Sequence, residues 1–214
     1  RIVYARIREK MGGRLRIVLS GSAPLDPRLA RFFINLGIPV YEGYGLTESS
    51  PVLAVNYPGR RKLGTVGPAF VDVELRIAPD GEVLARGPNI MKGYHGLPEA
   101  TRETVDAEGW LHTGDLGSID VNGYLTITGR KKELFKTAGG KYVAPIPIER
   151  ALSAHKLVDA AVVVAEGRPF VTALLYPDFE ALLALREELH ETAGAQSEVA
   201  FLRSEPVRAR FAAI

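Results

Sequence analysis

One segment, residues 109–149, restricts what this chain can form more than any other part of the sequence. It reads GWLHTGDLGSIDVNGYLTITGRKKELFKTAGGKYVAPIPIE. Asp115 precedes a β-rich run and Arg130 follows it, and then come the lysine pair 131–132 and the glycine pair 139–140. Adjacent glycines permit a sharp turn of the chain. The pattern of β-rich runs before Arg130 changes to a smaller α+β pattern after Lys132, which predicts two domains that meet near residues 130–132.

The chain before this segment begins with a strand–helix–strand pattern. Residues 14–20 and 39–44 are short β-rich runs, and residues 27–36 have helical periodicity. Asp26 is a typical N-cap, Pro27 suits the first helical position, and Gly37 ends the helix. A helix that connects two strands indicates a parallel α/β layer. We expect residues 1–50 to form the end of such a layer.

The pattern changes after residue 50. Short alternating runs separated by Pro79-Asp80-Gly81 and Asn122-Gly123 predict an antiparallel sheet or a small β-barrel-like subdomain over residues 51–130. These runs are 71–77, 82–85 and 124–128. Residues 131–214 predict a small α+β domain. Its helices are expected at 146–154 and 179–189, and its strands at 157–165 and 170–176. The fold class is thus α/β plus β.

Composition excludes several classes of protein. A hydrophobic content of 46% with 24% charged residues is ordinary for a globular protein. A net charge of +2 is too small and too dispersed to indicate a nucleic-acid partner. The absence of cysteine excludes disulfides and thiolate metal sites and fits a cytoplasmic location. No apolar run predicts a transmembrane segment, which leaves a peripheral membrane contact open.

The stretch 41–48, YEGYGLTE, carries residue types that suit a nucleotide phosphate site. The ring of Tyr44 can stack on a purine, and the hydroxyl of Thr47 can donate to a phosphate oxygen. The carboxylate of Glu48 can hold Mg²⁺, which prefers carboxylate oxygens beside substrate phosphates. A plain turn followed by a helix cap explains the same residues without any ligand.

Asp115 and Arg130 suit a ribose. A carboxylate held in a glycine turn can accept hydrogen bonds from both ribose hydroxyls, although a local turn bond of the aspartate explains the same sequence. The forked guanidinium of Arg130 can reach the same ribose or the phosphate; a solvated surface turn is the alternative. We expect Trp110 to be a packing residue and His112 to have a structural role.

Taken together, these motifs resemble those of adenylate-forming enzymes, and specifically of long-chain fatty acyl-CoA synthetases. YGLTE resembles the family's Tyr-Gly-x-Thr-Glu motif, GSAPL resembles its turn beside the adenine, and residues 109–117 resemble its ribose-binding motif. The resemblance implies the following nucleotide-binding residues: Gly21, Ser22, Ala23, Tyr44, Gly45, Asp115 and Arg130.

The resemblance also implies the catalytic residues and a mobile small domain. Thr47 and Glu48 would act at the α-phosphate, with Glu48 on Mg²⁺. Lys132 would be the pivot of the small domain, a role that needs a solvated side chain and a tolerant backbone. Gly139 and Gly140 would line the approach of the coenzyme A thiol, the alternative being a tight hairpin. The wording AGGK-x-VAP-x-x-IE is closer to long-chain acyl-CoA synthetases than to peptide-synthetase adenylation domains.

The implied activity is an ATP-dependent, AMP-forming ligase that uses ATP, a fatty acid and coenzyme A. We expect this chain to be its C-terminal part, because it begins at Arg1 and ends at Ile214 inside helical-looking stretches. The family's Pro-Lys-Gly triphosphate loop is not found, and no lysine follows Lys156 to assist adenylation. The isolated chain is therefore expected to be inactive. Acyl transfer to a carrier protein, an adenylating oxidase and a non-catalytic nucleotide-binding or interaction module are the alternatives.

Overall fold

The chain folds into two compact units, Arg1–Lys131 and Lys132–Ile214. The computed structural model describes residues 2–188 and 198–214. The helices of the first unit are α1 (Ile2–Lys10), α2 (Pro27–Asn35) and α3 (Pro98–Thr104). Its strands are β1 (Val18–Ser20), β2 (Val40–Gly45), β3 (Val52–Val55), β4 (Glu74–Ile77), β5 (Glu82–Arg86), β6 (Leu111–Ile119) and β7 (Leu125–Arg130).

The predicted strand–helix–strand pattern at the beginning of the chain is confirmed. β1 pairs in parallel with β2, and α2 connects them. The side chain of Asp26 caps α2 by accepting a hydrogen bond from the Arg28 amide at 2.6 Å, with Pro27 as the first helical residue. Gly37 follows the helix with a φ of 77°, a left-handed conformation that suits glycine. The pairing brings the end of β1 beside the end of β2.

The strands of the first unit form two sheets. β1, β2 and β3 form a three-stranded sheet in which β3 is antiparallel to β2, and β4–β7 form a four-stranded antiparallel sheet in sequential order. A backbone bridge between Gly67 and Leu125 ties the loop after β3 to β7. The apolar core between these elements includes Leu53, Ala54, Val83, Ala85 and Leu125.

Four predictions about local structure are wrong. β1 begins at Val18 rather than at residue 14. β4 begins at Glu74 rather than at residue 71, because Asp72 adopts a left-handed φ of 60° in a turn. Asp115 lies inside β6 and not in a glycine turn, since the strand continues through Gly114, whose φ is 72°. Arg130 is the last residue of β7 and does not follow the strand.

The second unit combines hairpins and helices, as predicted. Its strands are β8 (Phe135–Lys136), β9 (Tyr142–Val143), β10 (Val158–Val164) and β11 (Thr172–Pro177), paired antiparallel as β8–β9 and β10–β11. Its helices are α4 (Pro145–Ser153), α5 (Phe179–Glu188), α6 (Glu198–Leu202) and α7 (Glu205–Ala212). A separate core holds Leu157, Leu182, Leu185, Phe201 and Val207. The predicted last residue of α5, Leu189, lies outside the described residues.

Among the residues that the structure describes, no helix has both the length and the apolar character needed to cross a bilayer.

Candidate nucleotide-binding site

The Asp115 side chain contacts two other side chains, and the three come from three different strands. Its Oδ2 accepts a hydrogen bond from the Tyr44 hydroxyl at 2.6 Å, and its Oδ1 lies 3.1 Å from Nε of Arg130. Asp115 and Arg130 are opposite residues of β6 and β7, while Tyr44 comes from β2. Asp115 is only 3% exposed, whereas the Arg130 side chain is 58% exposed. The fold therefore joins three of the predicted nucleotide-binding residues and leaves the guanidinium open to solvent.

The two partners orient this carboxylate without using all of its capacity. Each carboxylate oxygen carries a second lone pair, so Asp115 can still accept hydrogen bonds from a pair of vicinal hydroxyls. Burial, and then the hydrogen bond to Asp115, raise the pKa of the Tyr44 phenol far above its ordinary value. Tyr44 thus stays a neutral donor at physiological pH and fixes the direction of the Asp115 carboxylate.

A bulge in β6 presents Asp115. The pairing register between β5 and β6 shifts between Glu82 and Leu84, so several residues of β6 face a short piece of β5. Side chains fill the gap: Thr113 Oγ1 donates to the Val83 carbonyl at 2.7 Å and accepts from the Asp115 amide at 3.1 Å. Bulges often redirect a side chain beside a functional site.

The predicted phosphate-binding stretch, residues 41–48, runs through β2 into a tight 3-10 turn, Thr47–Ser49, which carries Thr47 and Glu48. The buried hydroxyl of Ser49 accepts from the Leu46 amide at 2.9 Å and donates to the Pro51 carbonyl at 2.5 Å. A Cβ on Gly45 would lie 1.6 Å from the Pro51 carbonyl oxygen, so only glycine fits there. Thr47 is exposed, and its hydroxyl is available to a ligand.

The segment 87–94 holds this turn from the other side. The side-chain amide of Asn89 donates to the carbonyls of Ser49 and Val52, both at 2.8 Å. Tyr94 donates its hydroxyl proton to Glu48 Oε1 at 2.7 Å, and this hydrogen bond to the carboxylate raises the pKa of Tyr94. Glu48 is thereby held in one orientation.

Glu48 fits a magnesium ion that is bound mainly through a phosphate ligand. Its carboxylate is half-buried, and the oxygen not bonded to Tyr94 accepts no hydrogen bond from the described residues. No group of three or more metal-ligating side chains occurs within residues 2–188 and 198–214. Mg²⁺ commonly binds one or two carboxylates together with substrate phosphates, so a lone carboxylate suits this mode and not an all-protein site.

The turn Gly21-Ser22-Ala23 lies at the same edge as Tyr44. It follows β1, whose parallel partner β2 ends in Gly43-Tyr44-Gly45. A Cβ on Gly21 would contact the Gly43 carbonyl oxygen at 3.4 Å, and Ser22 adopts a left-handed φ of 66°. The two predicted adenine-side segments are therefore neighbours.

The remaining predicted residues belong to the second unit. Lys132 is its first residue and is exposed within the 3-10 turn Lys131–Glu133. Gly139 and Gly140 lie in the exposed turn between β8 and β9. Only Gly140 has a positive φ, 78°, and a Cβ on Gly139 would meet only Thr137 Oγ1, at 4.0 Å. Their roles toward coenzyme A and as a pivot stay predictions.

Sequence reasoning missed several residues that support the site: Asn89, Tyr94, Glu82, Thr113 and Ser49. For Glu82 the sequence offers a signal, because this acidic residue directly precedes the apolar run VLA of β5. In the structure Glu82 is only 5% exposed. Trp110 and His112 have the predicted packing and structural surroundings. Trp110 is 6% exposed, and the guanidinium carbons of Arg76 and Arg86 lie 4.4 and 4.5 Å from its ring centre. His112 lies between two carboxylates.

Family models match both units. The model described as AMP-binding enzyme matches residues 4–95, and the model described as AMP-binding enzyme C-terminal domain matches residues 133–199. The chain belongs to the AMP-binding enzyme family.

Within this family the chain is similar to ligases that act on long-chain fatty acids. The long-chain-fatty-acid–CoA ligase FadD15 of Mycobacterium bovis is 47% identical over 195 residues, which are 91% of this chain and 32% of that protein. The human long-chain-fatty-acid–CoA ligase 1 is 37% identical over 85% of the chain and 28% of its own length. The chain thus spans about a third of the length of the curated relatives it matches.

A solved structure has a similar fold and a bound nucleotide. The o-succinylbenzoate coenzyme A synthetase of Bacillus subtilis, in complex with ATP and a magnesium ion, superimposes with a TM-score of 0.66 at 28% identity. The match covers 82% of this chain and 40% of that chain.

Proposed function

We propose that this chain is the C-terminal part of a long-chain fatty acid–CoA ligase that consumes ATP and releases AMP. The observation that carries the proposal is the buried Asp115 carboxylate, held between the Tyr44 hydroxyl and the Arg130 guanidinium. A ribose needs such a fixed acceptor of hydrogen bonds. The names of the relatives supply the acyl substrate class, and the ATP- and magnesium-bound synthetase supports the nucleotide and the ion.

The proposed reaction has two steps. A carboxylate oxygen of the fatty acid attacks the α-phosphorus of ATP, and the bond to pyrophosphate breaks, which gives acyl-AMP. The sulfur of the coenzyme A thiol then attacks the acyl carbonyl carbon. The bond to AMP breaks as the thiol proton is released, and the thioester forms.

In the first unit each predicted residue has a role in this reaction. Asp115 accepts hydrogen bonds from the ribose hydroxyls, and Arg130 reaches the ribose or the phosphate. Thr47 donates to the α-phosphate, and Glu48 holds Mg²⁺. A bound Mg²⁺ would neutralise phosphate charge during the displacement. Gly21, Ser22, Ala23, Tyr44 and Gly45 surround the adenine.

In the second unit, Lys132 is proposed as the pivot, and Gly139 and Gly140 as the lining of the thiol approach. We also propose that residues 1–50 form the end of a parallel α/β layer, residues 51–130 a small β-barrel-like subdomain, and residues 131–214 a mobile α+β domain. We also propose a cytoplasmic location, with room for a peripheral membrane contact.

The test is fatty-acid-dependent exchange of pyrophosphate into ATP by the complete protein. Asp115→Asn keeps the shape of the side chain but removes the charge that strengthens its contact with ribose. We expect exchange to fall about tenfold or more, since hydrogen bonds to charged groups are worth about 1.5–3 kcal/mol. Asp159→Asn, on an exposed residue of β10, is the matched control and is expected to keep full exchange. Normal exchange by Asp115→Asn would refute the ribose assignment.

The same assay separates the enzyme from a non-catalytic nucleotide-binding module of this fold. A module would bind AMP with the same dependence on Asp115 but would catalyse no exchange. A separate measurement of thioester formation distinguishes an acyl transferase to a carrier protein, which would show exchange but form no thioester with coenzyme A.

A further inference from the structure

We propose that Glu82 is a positioning residue for the nucleotide, because its side chain holds the β6 bulge that presents Asp115. The inference rests on the proposed function, since it takes Asp115 to be the residue that binds ribose. Glu82 itself is not proposed to touch the nucleotide.

The carboxylate of Glu82 is buried and has partners on two neighbouring parts of the sheet. Its Oε1 accepts a hydrogen bond from the Gly114 amide at 2.9 Å. Its Oε2 lies 3.0 Å from the ammonium nitrogen of Lys131 and 3.3 Å from Nδ1 of His112. Glu82 opens β5, Gly114 lies in β6, and Lys131 follows β7 directly. One side chain therefore connects three adjacent chain segments.

The bulge requires a side-chain acceptor at this position. In a regular antiparallel ladder, the backbone carbonyls of β5 would accept from the amides of β6. The register shift between Glu82 and Leu84 interrupts that ladder opposite Gly114. Gly114 is half-buried, and an amide that the protein shields from water is costly to leave without a partner. The Glu82 carboxylate supplies the missing acceptor, and the left-handed φ of Gly114, 72°, shapes the bulge.

Two of the groups held by Glu82 are direct neighbours of the ribose-binding pair. Gly114 precedes Asp115, and Lys131 follows Arg130. Lys131 is also bonded to Asp80 at 2.6 Å, so the end of β7 is anchored by two carboxylates of the first unit. Loss of the Glu82 carboxylate frees the Gly114 amide and weakens this anchor. We therefore expect Asp115 and Arg130 to lose their alignment with the ribose.

The test compares ATP with 2′-deoxy-ATP as substrates of the complete protein. The ratio of their kcat/KM values measures the contact with the 2′-hydroxyl, and partial unfolding does not change it because the folded fraction cancels. In the native protein we expect ATP to be preferred about tenfold or more, as for a hydroxyl bonded to a charged acceptor. In Glu82→Gln one side-chain oxygen can still accept from the Gly114 amide, but the new amide nitrogen faces the ammonium group of Lys131, so the side chain cannot hold both groups. We therefore expect the preference to fall to a few fold or less.

Glu74→Gln is the matched control. Glu74 is an exposed carboxylate on the neighbouring strand β4, paired with Arg86 at 2.9 Å, and its replacement should leave the preference unchanged. If Glu82→Gln does not fold, Glu82→Asp is measured in the same way; it keeps the charge but is shorter by one methylene group, and the preference should again fall.

The outcomes separate the two proposals. A native protein that does not prefer ATP over its 2′-deoxy analogue overturns the ribose assignment, and with it the role of Glu82. A native preference that persists in the folded Glu82 variants overturns the positioning role alone. A preference lost in the Glu82 variants and kept in Glu74→Gln supports it.

Discussion

At the scale of single residues, Glu82 shows how a buried charge can be stabilised by its neighbours. Burial acts to raise the pKa of this carboxyl, but hydrogen bonds from Lys131, the Gly114 amide and His112 outweigh burial, and its pKa lies below the usual value. A lowered pKa means that the folded state prefers the charged form. Glu82 therefore contributes stability above the pKa of an unfolded glutamate, and this contribution is lost as pH falls through the folded pKa.

This sign gives a testable pH dependence for Glu82→Gln. At pH 7 we expect the variant to lower the free energy of unfolding by about 1–3 kcal/mol, because the buried, charged acceptor at Glu82 becomes a neutral amide. As the pH is lowered from about 5 to about 3, the native protein loses its advantage and the difference should shrink. Urea unfolding followed by fluorescence is suitable, since Trp110 is the chain's single tryptophan and lies in the first unit. A difference that stays constant over this range would contradict the ion pairing of Glu82.

At the scale of structural elements, the turn after β2 depends on a glycine that packing requires. A Cβ on Gly45 would overlap the Pro51 carbonyl oxygen, at 1.6 Å, so Gly45→Ala must open the turn. We expect a loss of about 3 kcal/mol, typical of a severe overpacking. Gly139→Ala is the matched control, because a Cβ there meets only Thr137 Oγ1 at 4.0 Å, and it should change stability by less than about 0.5 kcal/mol. Thermal unfolding followed by circular dichroism measures both, and equal losses would contradict the crowding at Gly45.

How well the sequence predicts these elements depends on how local their causes are. The sequence predicts α2 with its cap because Asp26, Pro27 and Gly37 lie at the ends of the helix and act locally. The position of Asp115 inside β6 was not predicted, because the bulge depends on Glu82, a residue distant in sequence. The sequence predicts that Asp115 and Arg130 bind the same ribose, but it does not predict that they are opposite residues of one sheet.

The same limit applies to the residues that orient the site. The sequence assigns the ring of Tyr44 to adenine, and the structure adds a hydrogen bond from its hydroxyl to Asp115 at 2.6 Å across two sheets. Asn89 and Tyr94 support the Thr47–Ser49 turn from a loop that has no helical or strand periodicity. Tertiary hydrogen bonds of this kind leave no periodic signal in a sequence.

At the scale of the whole molecule, each unit has a core of its own, and the chain passes from one to the other between Lys131 and Lys132. The two lysines differ in their surroundings. Both are exposed, but Lys131 is bonded to Asp80 and Glu82 of the first unit, while Lys132 forms no ion pair with the residues that the structure describes. If the small domain rotates as proposed, these contacts of Lys131 favour a rotation that begins after it. This arrangement supports Lys132 as the proposed pivot.

The pivot is tested by Lys132→Pro in the complete protein. Proline fixes φ and removes the amide hydrogen, so it restricts rotation at this residue. If the small domain must rotate between the two steps, pyrophosphate exchange should be largely retained while thioester formation falls about tenfold or more. Lys132→Ala is the matched control, because it removes the exposed side chain and leaves the backbone free, and it should support both steps. If Lys132→Pro loses both steps to the same extent, the variant has a general structural defect. If Lys132→Pro and Lys132→Ala lower thioester formation to the same extent, the role belongs to the lysine side chain and not to backbone rotation.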